Sequence, residues 1–484
     1  MKKRYFIAIA ALVLCLSCSD WLDVRPAMEM RKTEMFEHEE GFKNVLTGAY
    51  IRMATPALYG KNMTMLLPEY MTQHWTIAAN TLPAYISRFD YEQADYKKLL
   101  ASIWLAYYQT VVNLNTLLGE IDARRDLFTN GNYNLIKGEA LGLRAFLHLE
   151  VMRLWGDLPG NIKEDQPAIP YVTTVTKDPN KLLSLSYREV SRHLLADLDS
   201  AELLLKDDPI TYCFNSVLNS PGLYDNYTHP EDPYHFYRQN RFNYYAVKAT
   251  KARYYHWIGD ATAAARYANE VINAVNTDNT PKFALGNEND ARMGRLTFPS
   301  EHIFAVHNSQ ARDVITSLFI RSTDGYTQDS VRVKEAYETG AHANDIRYKN
   351  NRLWQSRFVQ GHDKYFNYFK KYVMNDQTPV EVVPVIRLSE MYFIAIENGH
   401  PERFPAYRVA RNLSNSLDSE LTTPEAIRAR LEKEYRKEFY GEGQMFYFYK
   451  RHAYDRFTWP TSYTMNLANY KLPRPDVQTI FETL

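Results

Sequence analysis

Six charged residues sit inside otherwise apolar, helix-patterned stretches: Arg144, Arg387 and Arg436, with Glu390, Glu438 and Glu442. Two carboxyls held about 5–9 Å apart across a glycosidic bond could hydrolyse it. The other chemistry open to them is Arg–Glu pairing between helices, which fixes register and whose disruption costs a few kcal/mol. The residues alone leave both readings open, and it is the family resemblance given below that favours pairing for all six. The histidines, among them His38, His74, His148, His193, His235, His256 and His302, are scattered and lack metal-ligand spacing to a carboxylate. There is no G-x-S-x-G, no Walker loop and no H-E-x-x-H. No catalytic residue, metal site or cofactor is therefore expected.

The thiols pose a separate question. Cys15 and Cys18 close an apolar run from Tyr5 to Leu16 that follows Lys2-Lys3-Arg4. Twelve helical residues span about 18 Å, short of the ~30 Å hydrocarbon core, so the run fits a secretory leader better than a spanning helix. A C-x-x-C redox or metal pair would need a folded site around both thiolates, which a leader core does not offer. Ser17 before Cys18, with Leu14-Cys15-Leu16 upstream, resembles a bacterial lipoprotein cleavage box. The expectation is a signal peptide over 1–17 and acylation of Cys18, leaving Cys213 as the only thiol and no disulfide. Two or more acyl chains, at ~0.8 kcal/mol per buried methylene, would tether a body of 467 residues. The side-chain balance of that body is about −3, and no concentrated basic face suggests nucleic acid.

The elements that must carry these residues are mostly helical. Apolar residues recur at three-and-four spacing over Tyr91–Ile121 and Tyr133–Trp155, the latter stopped by Gly156-Asp157-Leu158-Pro159. Ser186 and Glu189 have capping-box spacing at the head of a helix running to Leu205. "NRFNYYAVKATKARYYHWIGDATAAARYANEVINAV" predicts two helices around a Gly259-Asp260 turn. Ala252, Tyr255 and Ala264 there match the A-x2-Y-x8-A spacing of a tetratricopeptide hairpin. A second hairpin is expected over "VIRLSEMYFIAIENGHPERFPAYRVARNL", and Thr423-Pro424 opens a further helix. Between the helices lie long stretches, 56–90, 207–240 and 276–384. "EHIFAVHN" and "RFVQGHDKYFNYFKKYVM" in the last alternate like short strands.

With these segments in view the chain resembles the SusD/RagB family of outer-membrane nutrient-binding lipoproteins of Bacteroidetes. The resemblance rests on Cys18, Leu22, Asp23 and Pro26 at the mature start. It continues with Glu139, Ala140, Arg144, Ala145, Phe146, Trp155, Gly156, Asp157 and Pro159, and with the alanine-rich hairpin. Arg387, Leu388, Glu390 and Tyr392 follow, then Arg436, Glu438, Phe439, Glu442 and Gly443, and "LPRPDVQ" near the end. Gln444 and the short tail after Phe481 depart from the family pattern. The resemblance implies a mainly α, tetratricopeptide-like helical-hairpin scaffold with long loops and a few short strands. It also implies a non-catalytic receptor at the outer membrane, partnered by a SusC-type TonB-dependent transporter and binding an oligosaccharide or other nutrient. The expected layout is a scaffold over about 35–275 and 385–450, with a loop-rich, ligand-facing insertion over about 276–384. Rival readings are a helical-repeat scaffold for a protein or peptide partner, and an anchored hydrolase.

For the ligand itself, His74, Trp75 and Asn80 in "PEYMTQHWTIAANTLPAYISRF" and Tyr326 in "STDGYTQDS" are the candidates. A sugar C–H face stacks on a ring while an amide bonds its hydroxyls. Trp75 as a plug of the scaffold is the competing role. "YDNYTHPEDPYHFYRQNRFNYY", with Tyr224, Tyr227, Tyr234, Phe236 and Tyr237, is the densest aromatic tract and reads as a ligand- or transporter-facing loop, with no single member preferred. Trp354, behind Asp345-Ile346-Arg347, is expected in the core.

Overall fold

Helix α3 (Asn132–Trp155) explains the architecture, because every residue from Gly138 to Trp155 on it is buried. A helix enclosed on all sides needs neighbours on all sides. The structure, a computed structural model, describes residues 34–484 apart from 224–226, 309–310, 321–326, 360–363, 375–377, 414–420, 477 and 480–484. Cys18 and the leader lie outside the described residues, as do Tyr224 and Tyr326.

Against α3 pack α1 (Glu39–Ala54), α2 (Ala94–Ile121), α4 (Tyr187–Leu204) and α5 (Tyr244–Ile258). Helix α1 buries Phe42, Leu46, Ala49 and Met53, one per turn, and leaves its other face to solvent. The α4 capping box forms as its sequence predicts: Ser186 Oγ accepts from the Glu189 amide, and the Glu189 carboxylate accepts from the Ser186 amide. Helix α5 turns back into α6 (Ala261–Ile272) through Gly259 at φ +84°, a left-handed position that favours glycine. The Asp260 side chain caps α6, and Tyr255 and Tyr267 stack across the hairpin with ring centroids 5.7 Å apart.

Helix α7 (Leu388–Glu397) packs on α6, and α8 (Pro424–Glu438) and α9 (Gln444–Arg451) close the body. The expected second helical hairpin forms as α7 and a short return helix, except that its first three residues, Val385-Ile386-Arg387, are extended. "VVPVIR" is strand β4 (Val382–Arg387), which pairs antiparallel with β1 (His302–His307), His307 opposite Val382. Its β-branched residues and Pro384 suit an extended strand better than a helix. The return helix is only Phe404–Ala410. A hairpin of β2 (Trp354–Val359) and β3 (Lys364–Phe369) forms where the alternation predicted strands.

The aromatic–Gly–Asp turn after α3 docks on the late "LPRP" segment. Trp155 Nε1 donates to Pro473 O at 3.0 Å, and the buried Lys450 ammonium donates to the carbonyls of Leu154 (3.0 Å) and Gly156 (2.8 Å). Two motifs more than 300 residues apart are therefore one structural joint.

Candidate functional site

The charged residues of the helices are saturated with ion pairs. Arg144 holds Asp197 of α4 through two bonds of 2.7 Å. Glu390 accepts two bonds of 2.7 Å from Arg253. Arg436 donates to Glu432 at 2.7 Å and lies over the Trp459 ring. Arg387 grips Glu442 with two bonds (2.8 and 2.9 Å), Glu438 at 2.7 Å and Glu301 at 2.8 Å. Arg411 and Arg347 also reach Glu438. Burial alone would raise the Glu438 carboxyl, but the guanidiniums of Arg411, Arg387 and Arg347 hold it well below the usual carboxylate range. Each acid that could have formed a hydrolytic pair is spent on scaffold pairing. Arg347, from the Asp345-Ile346-Arg347 stretch, completes the cluster with Arg411 and Glu301, and the last two carry no local sequence signal beyond a charge in an apolar setting.

Two of the four proposed ligand residues are interior, which corrects their expected role. Trp75 is 3 % exposed; its indole N–H donates to Glu69 Oε2 at 2.9 Å and its ring packs on Trp354, Phe369 and Tyr440. His74 is buried against Tyr449 and Trp459, and burial pushes its imidazole well below its ordinary value. A ring enclosed by other rings has no face left for a sugar, so Trp75 is the plug. Asn80 is exposed in a left-handed turn (φ 57°) and stands apart from the cleft described next. Trp354 is in the core, as expected.

The aromatic tract presents the site instead. Arg238 is fully buried, bonded twice to Asp208 (2.8 and 2.7 Å) and once to Glu139 (2.5 Å). Pinned from below, the chain turns at Tyr237, whose φ of 56° is uncommon for a residue with a Cβ. The Tyr237 amide donates to Leu218 O at 2.8 Å while its ring stands 47 % exposed. It forms the rim of a cleft of about 850 Å³ between α1 (Thr47, Tyr50, Ile51), the Tyr237–Arg241 turn and the edge of β1. On the floor, Asn219 Nδ2 donates to Gln239 Oε1 (2.6 Å), and Gln239 Nε2 donates to His302 O (2.6 Å). Arg241 lies over the rings of Tyr234 (4.3 Å) and Tyr50 (5.4 Å), the orientation favoured by cation–π attraction. Burial lowers His302 to about 4, which leaves it neutral. A second hollow of about 450 Å³ shares Tyr237 and Arg241, so these two side chains form a ridge between depressions. A shallower depression of about 1020 Å³ between 157–167 and 471–479 has no aromatic in its lining. The cleft thus combines an exposed ring, fixed amides and a guanidinium, within the size range of ligand pockets.

Comparison with known proteins bears on the whole arrangement. A family model described as "SusD-like, starch-binding associating with outer membrane" matches residues 20–217. Over that stretch, under half of the chain, the sequence is similar to the SusD-like family. The chain is 22% identical over 212 residues to SusD-like protein P2 of Formosa agariphila, a match covering 43% of this chain and 39% of that relative. A SusD superfamily protein from Bacteroides thetaiotaomicron superposes with a TM-score of 0.67 at 17% identity, over 92% of this chain and 98% of its own. A SusD-like carbohydrate-binding protein from Bacteroides vulgatus gives a TM-score of 0.66 at 18% identity, over 93% and 97%. The mainly helical fold is therefore shared along nearly the full chain. Among the described residues, no cluster of three His, Cys, Asp or Glu could hold a metal ion, and no helix is long and apolar enough to cross a membrane.

Proposed function

We propose that the protein is a non-catalytic binder of oligosaccharide at the outer membrane, and that it hands its ligand to a SusC-type TonB-dependent transporter. The observation that carries this reading is Tyr237, held outward by the buried Arg238 ion pairs over an amide-lined cleft. A sugar ring stacks its C–H face on the phenol, and its hydroxyls take hydrogen bonds from Asn219, Asn240, Thr47 and Arg241. The family model's description of starch binding at the outer membrane supports the ligand class. The saturated state of Glu390, Glu438 and Glu442 supports binding without bond cleavage.

In this reading residues 1–17 are a signal peptide and Cys18 is the acylated anchor of an 18–484 body. The 276–384 segment supplies one wall of the cleft, with Thr297, Val306 and Val380 among its lining, while α1 supplies the other. Calorimetric titration of the folded protein with a panel of oligosaccharides tests the proposal. One glycan class binds saturably, and Tyr237→Ala lowers its affinity about tenfold, the loss expected for one stacking contact of about 1.4 kcal/mol. Equal affinity in the variant overturns the cleft assignment, and heat only with a folded protein partner favours the helical-repeat scaffold.

A further inference from the structure

Arg241 stands on the ridge between the Tyr237 cleft and the second hollow, and it lines both. Among the described residues six buried arginines, Arg144, Arg238, Arg253, Arg347, Arg387 and Arg411, each seat one carboxylate across Nε and Nη2, with bonds of 2.6–2.9 Å. That edge of a guanidinium offers two parallel N–H donors at the spacing of two oxyanion oxygens. Arg241 leaves the same edge open. Its protein contacts fall on Nη1, which donates to Tyr234 Oη at 3.1 Å and stands 3.8 Å from Glu139 Oε2. Nε and Nη2 have no hydrogen-bond partner among the described residues, and both reach solvent. The side chain is 18 % exposed and lies over the Tyr234 and Tyr50 rings, so the edge is held in place before a ligand arrives.

Arg238 and Arg241 together balance Glu139 and Asp208, so recognition at this edge comes from directed donors on a fixed cation rather than from excess charge. The neighbouring charges choose a side. Beyond Arg241, the second hollow adds Glu40 and Asp232 against Lys43, a net negative lining. The cleft adds one charge of each sign, Arg295 (3.1 Å from Asp290) and Glu381 (3.4 Å from His307). An oxyanion at Arg241 is therefore repelled less on the cleft side, where the Tyr237 ring stands exposed. We propose that the oligosaccharide is acidic, and that Arg241 seats its carboxylate or sulfate ester on the open Nε/Nη2 edge beside the ring stacked on Tyr237. This rests on the cleft reading above and replaces one contact of it, a hydroxyl at Arg241, by an oxyanion.

Calorimetric titration of the full chain with neutral, uronate-containing and sulfated oligosaccharides tests this. The saturable ligands should carry an acid. Methyl esterification of a bound uronate, or desulfation of a bound sulfated glycan, should weaken it at least about tenfold, the worth of one charge-assisted contact. Whichever modification has that effect identifies the oxyanion. Arg241→Gln should abolish the preference for the acid over its neutral form. Arg241→Lys, which keeps the charge without the fork, should recover only part of it, and full recovery overturns the bidentate seat. The comparison of acid with neutral form on the unaltered protein holds whether or not the variants fold. Equal affinity for the two forms there, or an undiminished preference in folded Arg241→Gln, overturns the proposal. A neutral glycan that binds tightly and is lost in Tyr237→Ala also overturns it while leaving the cleft reading in place; no saturable binding by any member overturns both.

Discussion

Replacing Arg387 by methionine isolates the energetics of the buried cluster. Arg387 and its three carboxylate partners are almost wholly enclosed. At an effective dielectric constant of about 20, a unit charge pair 2.8 Å apart attracts by about 6 kcal/mol, and Arg387 faces three such partners. Most of that gross attraction repays the desolvation of the guanidinium, and the net loss on deleting one buried partner is about 3–5 kcal/mol. The loss arises chiefly from stranded anions. Without Arg387, Glu442 keeps only Lys371, and Glu301 and Glu438 share Arg411 and Arg347, the latter already committed to Asp345 and Glu434. Adding Glu442→Gln removes one stranded charge, so the double variant should recover about 2 kcal/mol relative to the sum of the single variants. Urea unfolding followed by tryptophan fluorescence and far-ultraviolet circular dichroism, with coincident transitions, measures both quantities. A loss below about 1 kcal/mol for Arg387→Met, or strict additivity in the double variant, would refute the view that charge balance holds this core.

Two further outcomes follow from the same structure and a third from the sequence. Trp75→Ala should cost about 3–5 kcal/mol of stability through the cavity it opens, yet leave the glycan affinity of the folded fraction unchanged; calorimetry at low temperature separates the two effects. Burial pushes the Glu69 carboxyl up to about 7, against hydrogen bonds from the Gly441 and Gly443 amides and the Trp75 indole. Its folded value exceeds the ordinary 4.5, so the stability it contributes is fully present below about pH 4.5 and is lost as pH rises through about 7, a span of about 3 kcal/mol. Glu69→Gln should flatten that slope in unfolding curves recorded from pH 4.5 to 8. Cys18→Ser should move the protein from the membrane to the soluble fraction on ultracentrifugation, and continued sedimentation with membranes would sink the lipid-anchor proposal.

The helices were legible because each advertises itself locally. The capping box at Ser186, the Gly259-Asp260 turn and the Thr423-Pro424 entry are all where spacing predicts them. The role of Arg144 and Arg387 was legible as pairing, since a charge on an apolar face has few other stable fates, but their partners Asp197 and Glu301 were not. Those partners lie on other elements, 53 and 86 residues away, and no periodicity encodes such a separation. Val385-Ile386-Arg387 was read as the head of a helix because a short apolar run leading into one has no period of its own; only the pairing with β1 decides for a strand. Trp75 misled for a related reason. Its neighbours His74 and Asn80 look polar in sequence, whereas the rings that enclose it, Trp354, Phe369 and Tyr440, come from nearly 300 residues downstream and beyond.

The cleft shows why a binding site is harder to read than a scaffold. Its lining comes from five separated stretches, around 47–51, 219, 237–241, 295–307 and 380–382, and a surface side chain need satisfy no register with its neighbours. What sequence can reveal is the support beneath such a site. Tyr237 points outward because Arg238 points inward, and Arg238 is held by Glu139, an α3 residue of the motif that carries the family resemblance. Glu139 also accepts from Tyr50, whose hydroxyl in turn receives the Phe242 amide, so one buried carboxylate fixes the start and the end of the Tyr237–Arg241 turn and one wall of the cleft. The scaffold motif and the Tyr237–Arg241 turn therefore meet at a single acid. An exposed side chain of this turn can be exchanged without touching the ion pair beneath it, which keeps the position from which the turn faces the cleft.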